Sequence, residues 1–178
     1  MLEVKVPATS ANLGVGFDAL GIAFDIYNIL HFQESVEYQL IGFPDEFNNK
    51  NNMALKSYIA FSKEHGITPT PVTITLAQQD IPIARGLGSS ASMIIAGVIA
   101  ANELNNLQKT KEECAAFAAT LEGHPDNVYA AFFGSLTSSF KHEDEYFYNT
   151  FPVSDKLVFN LLIPKWSKIL FISFIPSR

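Results

Sequence analysis

Residues 82–92 read Pro82-Ile83-Ala84-Arg85-Gly86-Leu87-Gly88-Ser89-Ser90-Ala91-Ser92. Two closely spaced glycines lead into small and hydroxyl-bearing residues. An apolar run then follows from Met93 to Leu104, with Gly97 as its only helix breaker. The pattern predicts a flexible loop emptying into the first turn of a helix. Such a turn carries backbone N–H groups without intrahelical partners and the positive end of the helix dipole, so it attracts phosphate. Glycines let the backbone come close to the anion, and the serines add hydroxyl donors or a metal ligand.

Several readings of this loop compete. A Walker A loop closes on Gly-Lys-Ser/Thr, and residues 82–92 contain no lysine. Gly86-x-Gly88-x-x-Ala91 satisfies a dinucleotide-binding pattern, whose acidic partner roughly 20 residues on would be Glu112 or Glu113. That partner falls inside a second helical segment, and the glycines do not follow the first strand. A small-residue helix start used only for close packing is the plain structural alternative.

Two more polar knots narrow the choice. Residues 4–21 read Val-Lys-Val-Pro-Ala-Thr-Ser-Ala-Asn-Leu-Gly-Val-Gly-Phe-Asp-Ala-Leu-Gly, a short strand (Glu3 to Val6) running into a loop that holds Thr9, Ser10, Asn12 and Asp18. Residues 122–128 read Glu-Gly-His-Pro-Asp-Asn-Val. Taken in order, Pro-x-x-Ser-Ala-Asn-Leu-Gly-x-Gly-Phe-Asp, Gly-Leu-Gly-Ser-Ser and Glu-Gly-His-x-Asp-Asn-Val resemble the GHMP kinases, and within them the homoserine kinases. The likeness covers roughly residues 3 to 164.

That resemblance implies an α+β fold, the GHMP kinase N-terminal domain (ribosomal protein S5 domain 2-like). Residues 1–155 would form the ATP-binding domain, and residues 156–178 would begin a ferredoxin-like C-terminal domain. It implies transfer of a phosphoryl group from ATP, with Mg2+, to the hydroxyl of L-homoserine, in threonine biosynthesis. Residues 82–92 would bind the nucleotide, with Ser90 and Glu122 as metal ligands. Asn12, Asp18, His124 and Asp126 would bind the amino acid, and Asp126 and Asn127 would be catalytic, Asp126 as a candidate general base. Asn48 to Asn52 would lie near the adenine. A homodimer in the cytoplasm is the expected assembly and compartment.

Each of these residues also has a plainer use. Glu122 suits a helix C-terminus on the surface, Asn12 an Asx turn, and Asp126 or Asn127 an N-cap ahead of Val128. Arg85 suits solvent as well as phosphate.

Composition sets the outer bounds. The chain has 178 residues, 48% of them apolar and 17% charged, including 15 phenylalanines, an ordinary globular balance. A net charge of −6 argues against non-specific nucleic-acid binding, so bound ATP must rely on local donors and a metal. The single cysteine, Cys114, excludes an intrachain disulfide and reads as a small apolar residue on a helix face. The N-terminus enters a strand pattern at once, so no signal peptide is expected, and no apolar run reaches the length of a membrane span.

Periodicity places strands at 3–6, 22–33, 35–42, 72–76, 136–140 and 156–162. Helices fall at 53–65, 90–104, 111–121 and 128–133, with Thr110 and Glu113 as a capping box and Gly66 as a helix stop. His142 to Glu145 reads as a solvated turn. After Pro164 the likeness ends: residues 165–178 are apolar and β-prone, without the Gly-x-Gly-Pro segment and arginines that the resemblance implies. The expectation is therefore a frame-shifted or truncated product with most of its C-terminal domain missing and core surface exposed.

Overall fold

Strand β2 (Leu20–Glu34) organises the molecule because three other strands pair along it. The computed structural model describes residues 1–11, 13, 14, 16, 19–163 and, as backbone only, 171–176. Strand β1 (Leu2–Ser10) runs antiparallel to β2 from Leu2 opposite Phe32 to Ser10 opposite Ile22. Strand β4 (Val72–Gln79) pairs with Asn28–Glu34, and β5 (Leu136–His142) pairs with Leu20–Ile22. The short β3 (Gln39–Ile41) adds to β4 in parallel, and β6 (Glu145–Phe151) closes a hairpin with β5. A separate pair, β7 (Leu157–Leu162) and β8 (Phe171–Pro176), forms a two-stranded sheet.

Strand alternation puts Val4, Val6, Leu30, Phe32, Val72 and Ile74 on one buried face. Helices α1 (Met53–Glu64), α2 (Ser89–Leu104), α3 (Lys111–Glu122) and α4 (Asp126–Phe133) complete the core, with Tyr58, Phe61, Ile95, Val98 and Tyr129 buried in it. Helix α2 is apolar nearly all round because it is wedged between α1, α3 and the sheet. Gly97 is what lets α1 come so close: a Cβ there would run into the Ala54 carbonyl oxygen and Ser57 Oγ. Cys114 is buried as expected, and burial pushes its thiol up to about 11, so it is inert.

Several sequence-based boundaries move. Strand β1 does not stop at Val6. After a register shift at Pro7/Ala8 it pairs again with β2, and this takes Thr9 and Ser10 out of the loop and into buried strand positions. Residues 35–38 are not strand: Ser35 Oγ donates to the Glu37 carbonyl at 2.6 Å, and Val36 is 96% exposed. The hairpin strand β6 is not among the strands that periodicity predicts, since its half-exposed alternation starts inside the charged turn. Helix α4 begins at Asp126, so Asp126 and Asn127 are helical residues and not caps. The capping box at Thr110 is present, with Glu113 N donating to Thr110 Oγ1 at 3.1 Å and Thr110 N to Glu113 Oε2 at 2.8 Å.

In an ordinary helix Gly→Ala stabilises by roughly 0.5–1 kcal/mol. At Gly97 the opposite is expected: Gly97→Ala should destabilise by about 1–3 kcal/mol through the clash with α1, read as a lower urea midpoint.

Candidate active site

Among the described residues, the N-termini of α1 to α4 are treated in two ways. Asn52 caps α1, its Oδ1 accepting from Ala54 N and Leu55 N at 3.0 and 3.2 Å, and Thr110 caps α3. Helices α2 and α4 have no side-chain cap. Gly88 takes the N-cap position of α2 with φ +69°, and a Cβ there would collide with Thr9 Oγ1. Thr9 links both uncapped helices. Its N–H donates to the Leu87 carbonyl at 3.1 Å, and its hydroxyl donates to Asn127 Oδ1 at 2.9 Å in the first turn of α4.

A cavity of about 390 Å³ opens in front of α2. Phe43, Pro44, Phe47, Leu76, Met53 and Met93 make an apolar wall. Gly86, Gly88, Ser89, Ser90, Glu122 and Asn127 make the polar end. Asn52 also lines it, but its amide is committed to α1 and to the Phe47 carbonyl, to which Nδ2 donates at 3.0 Å. A flat apolar group and an anion could be held together here, one at each end.

The last residue of α3 meets the first turn of α2. Ser90 Oγ donates to Glu122 Oε2 at 2.7 Å and lies 3.2 Å from Met53 Sδ. Burial raises the Glu122 carboxyl above its ordinary value; the Ser90 hydrogen bond and His124 oppose that rise, while Asp126 adds to it. The carboxylate also sits at the negative end of α3, where the helix dipole disfavours it. These two hard oxygens suit Mg2+, which takes oxygen ligands and commonly shares one or two carboxylates with phosphates.

Of the residues that the sequence singled out, Ile83, Ala84, Arg85, Gly86, Gly88, Ser89, Ser90, Glu122 and Asn127 line the cavity. Pro82, Leu87, Ala91 and Ser92 do not; Leu87, Ala91 and Ser92 are buried behind the loop. Arg85 donates to the Ile83 and Ala84 carbonyls at 3.3 Å. Asp126 is 2% exposed, and its Oδ1 accepts from Asn127 N at 2.6 Å. His124 is exposed between α3 and α4. Asn12 and Asp18 lie outside the described residues. The sequence reading did not assign roles to Thr9, Asn28 or the apolar wall. For Asn28 a signal existed: it shares the buried face of β2 with Leu30 and Phe32.

Residues 52–135 match the family model of the GHMP kinases N-terminal domain. A homoserine kinase of Clostridium botulinum is 44% identical over 172 residues, spanning 94% of this chain and 56% of the relative. A Listeria monocytogenes structure assigned as homoserine kinase thrB superposes with a TM-score of 0.83 at 34% identity, over 96% of this chain and 60% of that one. The homoserine kinase structure from Cytophaga hutchinsonii gives 0.74 at 26% identity, over 94% and 57%. The chain thus spans little more than half the length of the relatives it matches.

The raised Glu122 value carries a sign for stability. A carboxyl that holds its proton more tightly when folded favours folding below the ordinary carboxyl range, and loses that contribution as pH rises through the folded value. Glu122→Gln should therefore raise the melting temperature at pH 7.5, with the gain shrinking as pH falls towards 4.5, in paired thermal melts.

Proposed function

We propose that this chain is the nucleotide-binding part of a homoserine kinase of the GHMP kinases, whose N-terminal domain model it matches over residues 52–135. The reaction would move the γ-phosphoryl group of ATP onto the hydroxyl of L-homoserine, giving O-phospho-L-homoserine for threonine synthesis. The observation that carries the reading is the Ser90–Glu122 pair set at the open N-terminus of α2, across the cavity from an apolar wall.

Phosphoryl transfer of this kind needs positioning and charge neutralisation more than covalent chemistry. The amides that open α2 hold the phosphates, and the apolar wall takes the base. Ser90 Oγ and Glu122 would hold Mg2+, which when bound neutralises charge on the phosphate oxygens. The amino acid belongs to Asn12, Asp18 and His124, whose groups suit an α-ammonium and a reacting hydroxyl. Asp126 fits an orienting part better than that of an exposed base: its buried carboxylate accepts from the Asn127 amide, and Asn127 faces the cavity. A loose transition state needs little help from a base.

Residues 1–155 are assigned to the ATP-binding domain and 156–178 to the start of a second one, which the separate β7–β8 sheet supports. A cytoplasmic homodimer is part of the proposal.

A second reading has its own support. Phe140 and Phe147 stack at 5.4 Å yet stay exposed, as do Phe151, Leu157 and Val158. On that reading the chain binds MgATP without turning over.

Incubating the purified chain with MgATP and L-homoserine should yield O-phospho-L-homoserine above a no-enzyme control by mass spectrometry. MgATP binding without product selects the second reading, and neither binding nor product removes both. Where turnover is measured, Ser90→Ala should lower it about 10-fold or more. Asp18→Asn should raise the homoserine requirement more than the ATP requirement, and the reverse pattern would remove Asp18 from the amino-acid site.

A further inference from the structure

Asn28 stands out because the core offers it no apolar reason to be there. It is fully buried on the face of β2 that also carries Leu30 and Phe32. Burying an amide is costly unless its groups find partners. Its partners lie at the two ends of the candidate phosphate loop. The Ile81 N–H donates to Asn28 Oδ1 at 3.1 Å, just before Pro82. Asn28 Nδ2 donates to Ser92 Oγ at 3.0 Å, and Ser92 Oγ in turn donates to the Ser89 carbonyl at 2.8 Å, in the first turn of α2. An N–H can be satisfied only by the amide oxygen, so Ile81 sets which way the Asn28 amide faces.

The local backbone explains why a side chain is needed at this point. Gln79 is the last residue of β4 and stands opposite Asn28 in the ladder, next to a register shift between Ile29 and Leu30. Beyond it the chain leaves the sheet, with Asp80 N donating to the Tyr27 carbonyl at 3.3 Å. Ile81 is buried, and its N–H would lose a strand partner there. The Asn28 side chain supplies one, and the other end of the same amide reaches α2. Ile81 and Leu87 are buried together against Ala8, so apolar contacts hold the same two ends.

We propose that Asn28 is a positioning residue for the phosphate loop. It ties the exit from β4 to the first turn of α2, so that the span and aim of residues 82–88 are set before any ligand arrives. It touches neither nucleotide nor amino acid and acts through Ile81 and the Ser92–Ser89 link. This rests on the reading of that loop as the nucleotide site.

The test compares Asn28→Asp, which keeps an acceptor for Ile81 but loses the donor to Ser92, with Ser92→Ala, which removes the middle of the link. Should Asn28→Asp fail to fold, Ser92→Ala decides alone. Phe61→Leu, in the distant core, is the control for simple loss of stability. Hydrogen exchange of the 82–88 segment is followed without ligand, and MgATP affinity is measured by calorimetry where all variants are folded. Faster exchange in 82–88 and a Kd about 5- to 10-fold weaker in the Asn28 and Ser92 variants are expected, with Phe61→Leu within about 2-fold of the parent. If the parent binds MgATP and the two variants bind it equally well, with unchanged loop exchange, Asn28 is a core amide and the inference fails. Equal weakening by Phe61→Leu also overturns it. A parent that binds no MgATP removes the nucleotide reading itself, and the inference falls with it.

Discussion

Two helix N-termini without side-chain caps, facing one cavity, are the constraint on which the rest of this structure depends. A helix start normally gives its unpaired N–H groups to a neighbouring hydroxyl or carboxylate, and α1 and α3 do so through Asn52 and Thr110. Helices α2 and α4 have no such residue at the N-cap; in α4 the Asp126 carboxylate meets the Asn127 N–H from within the first turn, while α2 forgoes the stabilisation that a cap of about 1 kcal/mol would bring. Their open ends persist because the helices are held by burial elsewhere. Helix α2 is packed on α1, α3 and the sheet, and α4 is held through Tyr129, whose ring lies 5.9 Å from Tyr146 and 5.3 Å from Tyr148 on β6.

Glu122 shows the same pattern in its electrostatics. A half-buried carboxylate at the negative end of a helix is unfavourable twice over, through desolvation and through the dipole. The Ser90 hydroxyl relieves only part of this. Such an arrangement is better matched to a cation than to the empty protein. The polar end of the cavity therefore combines unpaired donors for an anion with an acceptor for a metal, while Phe43, Phe47, Leu76 and the two methionines keep the other end apolar. The charges that a nucleotide brings are those that this site lacks.

Much of the fold could be read from local rules. The four helices, the Thr110 capping box and the strands around residues 3–6, 22–33 and 72–76 follow from periodicity and caps, which act over a few residues. What failed was decided by pairing. Residues 7–10 look like loop because Pro7 and small polar residues lack strand propensity, yet β2 offers them a ladder and a bulge absorbs the proline. Of the apparent strand 35–42, Gln39–Ile41 pair with β4, while Val36 lies in the part that bends into solvent. Strand β6 has weak alternation and exists because β5 lies beside it.

The sequence by itself determined the chemistry of the loop, since glycine spacing, serine hydroxyls and an apolar run behind them have the same consequences in any helix start. It also determined that Glu122, Asp126 and Asn127 come as one short segment. Tertiary structure alone decided what those groups face. Ser90 and Glu122 are 32 residues apart, Thr9 and Asn127 118, and Asn28 stands 53 and 64 residues from Ile81 and Ser92. Contacts at such separations depend on which strand edges pair with β2 and on how closely α1 lets α2 approach. Those are properties of the packed whole, with no signature in the few residues on either side.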